Sequence, residues 1–474
     1  MYPKLIFFSL NSEKLRYTPI FLIFFGFIYG SFIYPIHQET LTFSKTLLGH
    51  YNYNASNEWF HGIIQSPPTL QIYLISFLIE TEANEKILSF FYSGLTTSIS
   101  VISFYYFLRI FLKSDMATIY ICVLFFLYKF LNTHWYGIYY PTSYFYFGQM
   151  GMYLCLLSFS LLFNNMKNAS LYVLIANLFF HGAWGIFNLL LFATYHLVNK
   201  IKIKYNYKHV YFFLFLLISI FLGKLLINSN INENIFNIIS ENSKNDVTKG
   251  YLKGHTPFFI FDNFIKSIKN FLFFFSYEIL LFIFYFSCKN KIPITHKNYF
   301  SILLISISFI IFYLIFFNYI NSFLSLFSAE ITEIIQRMIP SRFLNIVNIS
   351  VVLFAVSFIF KKTYEERNPL FIFYSAIIFF LLSISILLNY ETSSQYLILH
   401  YDQVLNFNIL LWISVPFTFI FLIYPKYFNW LSRKISLNFS MKFFVIQKII
   451  LTIVFLGVFI PNKYVNSNKF INKN

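Results

Sequence analysis

The stretch Ile175–Leu190, IANLFFHGAWGIFNLL, decides how this chain folds. It lies inside a longer apolar run, Leu171 to Val198, which holds His181 and His196 but no Asp, Glu, Lys or Arg. As one helix of about 28 residues the run would measure roughly 42 Å, well beyond the ~30 Å of hydrocarbon in a bilayer. As two helices it gives about 14 residues to each, which is short.

The flanks choose between these readings. Lys167 precedes the run, and Lys200, Lys202, Lys204 and Lys208 follow it with no acid among them. Basic loops stay on the cytoplasmic side. A single crossing would place the second lysine cluster outside. The charge pattern therefore predicts two short helices that meet near His181–Gly185, as a tight hairpin or a re-entrant pair. Gly182 and Gly185 permit a sharp bend. Irregular backbone at that depth has to be buried in protein or line a wet cavity.

Working outward, the whole chain shares this character. Its 474 residues are 58% hydrophobic and 23% aromatic, and only 11% are charged. Soluble domains carry about 25% charged residues. Apolar runs recur from end to end, and no short alternating strands of a barrel appear. The expected fold class is all-α: a polytopic transmembrane helical bundle of about 13 spans, with short central helices and interfacial helices on the outer side. Residues 1–474 form a single integral membrane domain in this reading, with no nucleic-acid partner. The net charge of +17 is spread between apolar segments, which is an orientation signal and not a binding patch. Cys122, Cys155 and Cys288 show no metal or redox spacing.

The spans follow from the charges. The basic start (Lys4, Lys14, Arg16) is cytoplasmic, and the first span is about Pro19–Ile36. Residues 37–84 are the first external loop, with an interfacial helix at Thr69–Ile79 after Ser66-Pro67-Pro68. Further spans begin near Ile87, Ala117 and Tyr146, ahead of the hairpin. After it come a span at about Val210–Ile227, a large external loop, 228–270, and a span that runs to about Phe286. The last five spans are expected near Tyr299–Tyr319, Phe343–Phe360, Pro369–Leu388, Asn406–Tyr424 and Phe443–Ile460, with Lys426, Arg433 and Lys434 in the inside loop after Tyr424. Of the 18 acidic residues, only Glu13, Asp115, Glu365 and Glu366 fall in inside segments. The asymmetry places the N-terminus in the cytoplasm and the C-terminus outside.

The outer face holds the candidate chemistry. The first loop offers His37, Glu39, His50, Glu58 and His61. Glu39 follows directly on the outer end of the first span, where a carboxylate can act as general base or hold a divalent cation. An ordinary solvated loop would look the same. The turn 133–148, THWYGIYYPTSYFYFG, crowds Trp135 with five tyrosines; such rings stack on sugars or form an interfacial belt. His181 and Trp184 sit at the bend, where a buried polar group either carries function or satisfies loose backbone. Glu330, Glu333 and Arg337 share a helical face, and Arg342 follows Pro340. An outward arginine pair can clamp a diphosphate; a plain interfacial helix is the simpler account.

The layout resembles the membrane-integral glycosyltransferases of the GT-C type, which use lipid-phosphate sugar donors. The shared features are an acid just after the first span (His37-Gln38-Glu39), a long first external loop with an interfacial helix, and short central helices. One acid stands here where that family has a pair. The resemblance implies Glu39 as base or metal ligand and Arg337 or Arg342 on donor phosphate. The residues of the outer loops and of the bend themselves offer His37, Trp135, His181 and Trp184 as substrate contacts. The resemblance also implies a polyprenyl-phosphate-linked sugar as partner. The expected setting is the bacterial cytoplasmic (inner) membrane, with membrane lipids as further partners. Other readings are a polysaccharide repeat-unit polymerase or O-antigen ligase, a transporter or flippase, and a non-catalytic membrane subunit.

Overall fold

The computed structural model describes residues 17–33, 70–112, 148–199, 294–315, 345–378 and 414–434, with single positions and short runs between. Every regular element among them is helical. Two helical segments, Phe90–Phe111 and His296–Tyr313, are long and apolar enough to cross a membrane. The chain divides into two compact units. The first is Met1–Ile110, Pro141–Tyr285 and Ile292–Asn348; the second is Phe111–Tyr140, Phe286–Lys291 and Ile349–Asn474.

In the first unit, α1 (Thr18–Ile33) runs antiparallel to α3 (Glu85–Phe111). The two approach closely because small residues face each other. A Cβ on Gly26 would stand 2.9 Å from Ser98 Cα, and one on Gly30 would stand 2.6 Å from the Ser93 carbonyl. The spacing Gly26-x-x-x-Gly30 is the small-residue seam by which apolar helices bring their backbones together. Hydroxyls then bond across it: Ser31 Oγ donates to Phe90 O, and Ser98 Oγ to Ile23 O, both at 2.8 Å. The opposite face of α1 leaves Phe21, Phe24 and Ile28 exposed.

A helix is present at the expected Thr69–Ile79 position, as α2 (Leu70–Glu80). Its Ile75 packs with Tyr92, Met150 and Leu154 in a buried cluster, joined by Val173 and Phe180. Glu82 holds a left-handed conformation (φ 59°) that ends α2 and turns the chain into α3. Ala83 N–H then bonds back to Leu78 O at 3.0 Å. Such a residue satisfies the orphan carbonyls of a helix end.

The helix α4 (Gln149–Phe163) runs parallel to α3, and Asn164 pins their common end by donating to Tyr106 O at 2.8 Å. Asn165 takes a left-handed conformation (φ 61°), and the chain reverses into α5 (Lys167–Phe180). Paired hydroxyls, Ser158 and Ser170, lock α5 to α4 (Oγ to Oγ 3.2 Å). After His181 comes α6 (Gly182–Asn199). The helix break therefore falls at the predicted bend.

The pair is a hairpin. Phe192 of α6 packs on Leu174 and Ile175 of α5, and Gly185 lies on Leu178. Both outer ends return to the C-terminal end of α4. There Tyr195 of α6 meets Phe163 edge-on at 5.2 Å. The helix α7 (Ile294–Ile315) starts at this same end. Its Tyr299 packs against Phe107, Phe159 and Phe163, and Asn298 donates to Asn199 Oδ1 at 2.8 Å. The helix ends gathered here carry Arg109, Lys167 and Lys297, whereas Glu80, Glu82 and Glu85 border the opposite end.

The second unit contains most of α8 (Asn345–Phe360), a π-turn (Lys361–Glu365), α9 (Pro369–Ile378), α10 (Val415–Ile423) and α11 (Pro425–Lys434). Its core is aromatic: Phe371 packs edge-on with Phe417 and Phe421, and Tyr374 stacks on Phe417 at 3.6 Å. The basic segment after Tyr424, expected as an inside loop, is the helix α11. Pro425 opens it, a position where the missing N–H costs nothing.

Candidate functional site: the buried hairpin end

The end of the α5–α6 hairpin is polar in an otherwise apolar setting. His181 has extended backbone (φ −154°, ψ 93°), which is what separates the helices. Its N–H still closes the last turn of α5 on Asn177 O, and its carbonyl accepts from Gly185 N–H, both at 2.9 Å. The imidazole Nδ1 accepts from Trp184 N–H at 3.4 Å, a side-chain cap on the first turn of α6. An accepting Nδ1 carries no proton, so in the neutral ring the proton sits on Nε2.

His181 is 9% exposed and Trp184 only 1%. The indole packs edge-on against Phe343 (5.2 Å) and Phe187 (6.1 Å), and Phe187 stacks on Phe343 at 4.7 Å. Gly151 of α4 makes the seat. A Cβ there would stand 2.6 Å from His181 Cβ and 3.0 Å from Trp184 Cδ1. On the other side, a Cβ on Gly182 would meet nothing within 4 Å. The hairpin end is thus packed hard on α4 and open at Gly182.

Two asparagines complete the region. Asn177 lies one turn before His181, and Asn188 lies one turn after Trp184 on the same face of α6. They are 0% and 1% exposed. Both amide atoms of Asn177, and the Nδ2 of Asn188, have no hydrogen-bond partner among the described residues. Each buried, unmade bond of this kind costs about 1–3 kcal/mol. An amide donates and accepts, so these groups match a hydroxyl-bearing ligand or ordered water.

Of the residues singled out in the sequence, His181 and Trp184 are brought together by this hairpin. His37, Glu39, Trp135, Arg337 and Arg342 lie outside the described residues, as does the large loop 228–270. Among the described residues, no three His, Cys, Asp or Glu side chains gather as a metal site. Asn177 and Asn188 were missed. The chain is rich in Asn, and that bias hid the signal, which was two amides inside one apolar run. No protein-family model, curated protein or solved structure matches this chain.

Proposed function

We propose that this chain is a membrane-embedded glycosyltransferase. It moves a sugar from a polyprenyl-phosphate donor to an envelope glycan or lipid acceptor at the outer face. The observation that carries the reading is the set of buried amide atoms without a partner among the described residues, both of Asn177, one turn before the helix break at His181, and Nδ2 of Asn188 on α6. Sugar hydroxyls both donate and accept, and they supply what these amides lack. The outward apolar faces fit a lipid surround: Phe21 and Phe24 on α1, Leu189 and Leu197 on α6, and Phe309 and Phe312 on α7 are all exposed.

The chemistry assigned to the outer face follows the GT-C resemblance. The Glu39 carboxylate takes the proton from the acceptor hydroxyl. The oxygen attacks the anomeric carbon, the bond from that carbon to the donor phosphate oxygen breaks, and the lipid phosphate leaves with the electron pair. Arg337 or Arg342 balances the charge that develops on it. The product is inverted at the anomeric carbon. Asn177 and Asn188 hold sugar hydroxyls, and His181 donates from Nε2.

The test is incubation of the purified protein with a labelled polyprenyl-phosphate sugar and lipid or glycan acceptor. Wild type transfers label, while Glu39→Gln and Asn177→Leu do not. No transfer by wild type to either acceptor class, or equal transfer by all three proteins, removes the assignment. Movement of intact donor across sealed vesicles without transfer would establish a flippase instead.

A further inference from the structure

The helix α11 reads PKYFNWLSRK and carries no acid. It is fixed to the second unit from below. Ser432, its buried residue, donates to Asn368 Oδ1 at 2.8 Å, the same oxygen that caps α9 through Leu370 N–H. Phe428 packs edge-on against Phe417 and Phe421, at 5.6 Å to each ring. The opposite face is unlike a soluble helix surface. Tyr427 is 59% and Trp430 50% exposed, with their rings 5.8 Å apart. Lys434 Nζ lies 4.1 Å over the Trp430 ring, and Lys426 and Arg433 are exposed beside it. Glu366, a described acid of the second unit, is engaged by Lys362, and no ion pair of Lys426, Arg433 or Lys434 occurs among the described residues. The positive charge of α11 is therefore not cancelled among the described residues.

Outward Tyr and Trp among Lys and Arg, on a helix anchored by its other face, is the pattern of a helix lying in a membrane–water interface. We propose that α11 lies on the bilayer surface and binds anionic phospholipid head groups. Tyr427 and Trp430 sit at the boundary between head group and acyl chain. Lys426, Arg433 and Lys434 pair with lipid phosphate. Charge complementarity selects this occupant: a cationic, acid-free face with an aromatic floor fits an anionic lipid surface. Each basic residue at such a surface strengthens the association by roughly fivefold, so three give on the order of a hundredfold. The inference rests on the membrane reading above, and it does not depend on sugar transfer.

The experiment places the full-length protein in nanodiscs of phosphatidylcholine and phosphatidylglycerol, with bromine on the chains of one lipid or the other. The Trp430 signal is the difference in fluorescence between wild type and Trp430→Phe. Brominated phosphatidylglycerol is expected to quench it several-fold more than an equal fraction of brominated phosphatidylcholine. The triple variant K426Q/R433Q/K434Q is expected to equalise the two, leaving Phe428 and Ser432 to hold the helix. Equal quenching in wild type, no quenching by either lipid, or a preference that survives in the triple variant would each overturn the proposal. Sugar transfer measured on the same discs reports on the glycosyltransferase reading separately.

Discussion

Gly185 lies against Leu178 across the hairpin, so close that a Cβ on Gly185 would stand 2.7 Å from the Leu178 backbone nitrogen. At this crossing the backbones approach so closely that no side chain fits on Gly185. The account therefore predicts that Gly185→Ala forces α5 and α6 apart and lowers the thermal midpoint of the purified protein. Overpacking of this kind costs about 1–3 kcal/mol. Gly182→Ala, three residues away, is the internal control: its Cβ meets open space, and relief of glycine's backbone entropy adds up to ~1 kcal/mol. Equal effects from the two substitutions would contradict the hairpin geometry.

Gly151 tests the seat of the site. Gly151→Ala inserts a methyl against His181 and Trp184, and α4 is held in place by Ser158–Ser170 and Asn164–Tyr106. The hairpin end moves instead. Sugar transfer should fall at least tenfold while helical content by circular dichroism is unchanged. Unimpaired transfer would place the reacting groups elsewhere.

The amides separate a structural from a functional role. Asn177→Leu removes two unpartnered buried polar atoms, so the thermal midpoint should hold or rise, by up to ~1–3 kcal/mol of stability. Transfer should be lost at the same time. A midpoint that drops as far as Gly185→Ala would mean that the amide is bonded within the protein, and the site would lose its main support.

The α1–α3 seam gives a prediction of packing alone. Gly30→Leu should separate these helices and break the Ser31–Phe90 and Ser98–Ile23 bonds together. Ser98→Ala should cost only about 0.6 kcal/mol, the usual worth of one such interhelical bond. Comparison of the two in thermal denaturation shows whether the glycines or the hydroxyls hold the seam.

Much of this architecture was legible in the chain because charge and hydropathy act over whole segments. Lys167 and the Lys200–Lys208 cluster announced a return, and the break falls at His181, inside the predicted bend. The expected directions of the segments at α1, α3, α4 and α7 agree with their packing in the first unit. What was not legible depends on single contacts. Gly26-x-x-x-Gly30 was present in plain view, but its partner residues Ser93, Thr97 and Ser98 come from a segment far along the chain. Lys426, Arg433 and Lys434 were read as loop because a helix of ten residues adds little apolar signal. Only the spacing of Tyr427, Trp430 and Lys434 marks its outward face. Asn177 and Asn188 gain meaning from burial without partners, a property that no sequence displays.

The most direct test of the central claim is the sidedness of the hairpin. Single cysteines at Asn168 and Lys200, in a background without native cysteines, would be labelled in sealed vesicles of known orientation with a membrane-impermeant maleimide. The account predicts that both react from the same face, the cytoplasmic one, because α5 and α6 leave and return at the C-terminal end of α4. Labelling of the two positions from opposite faces would contradict it.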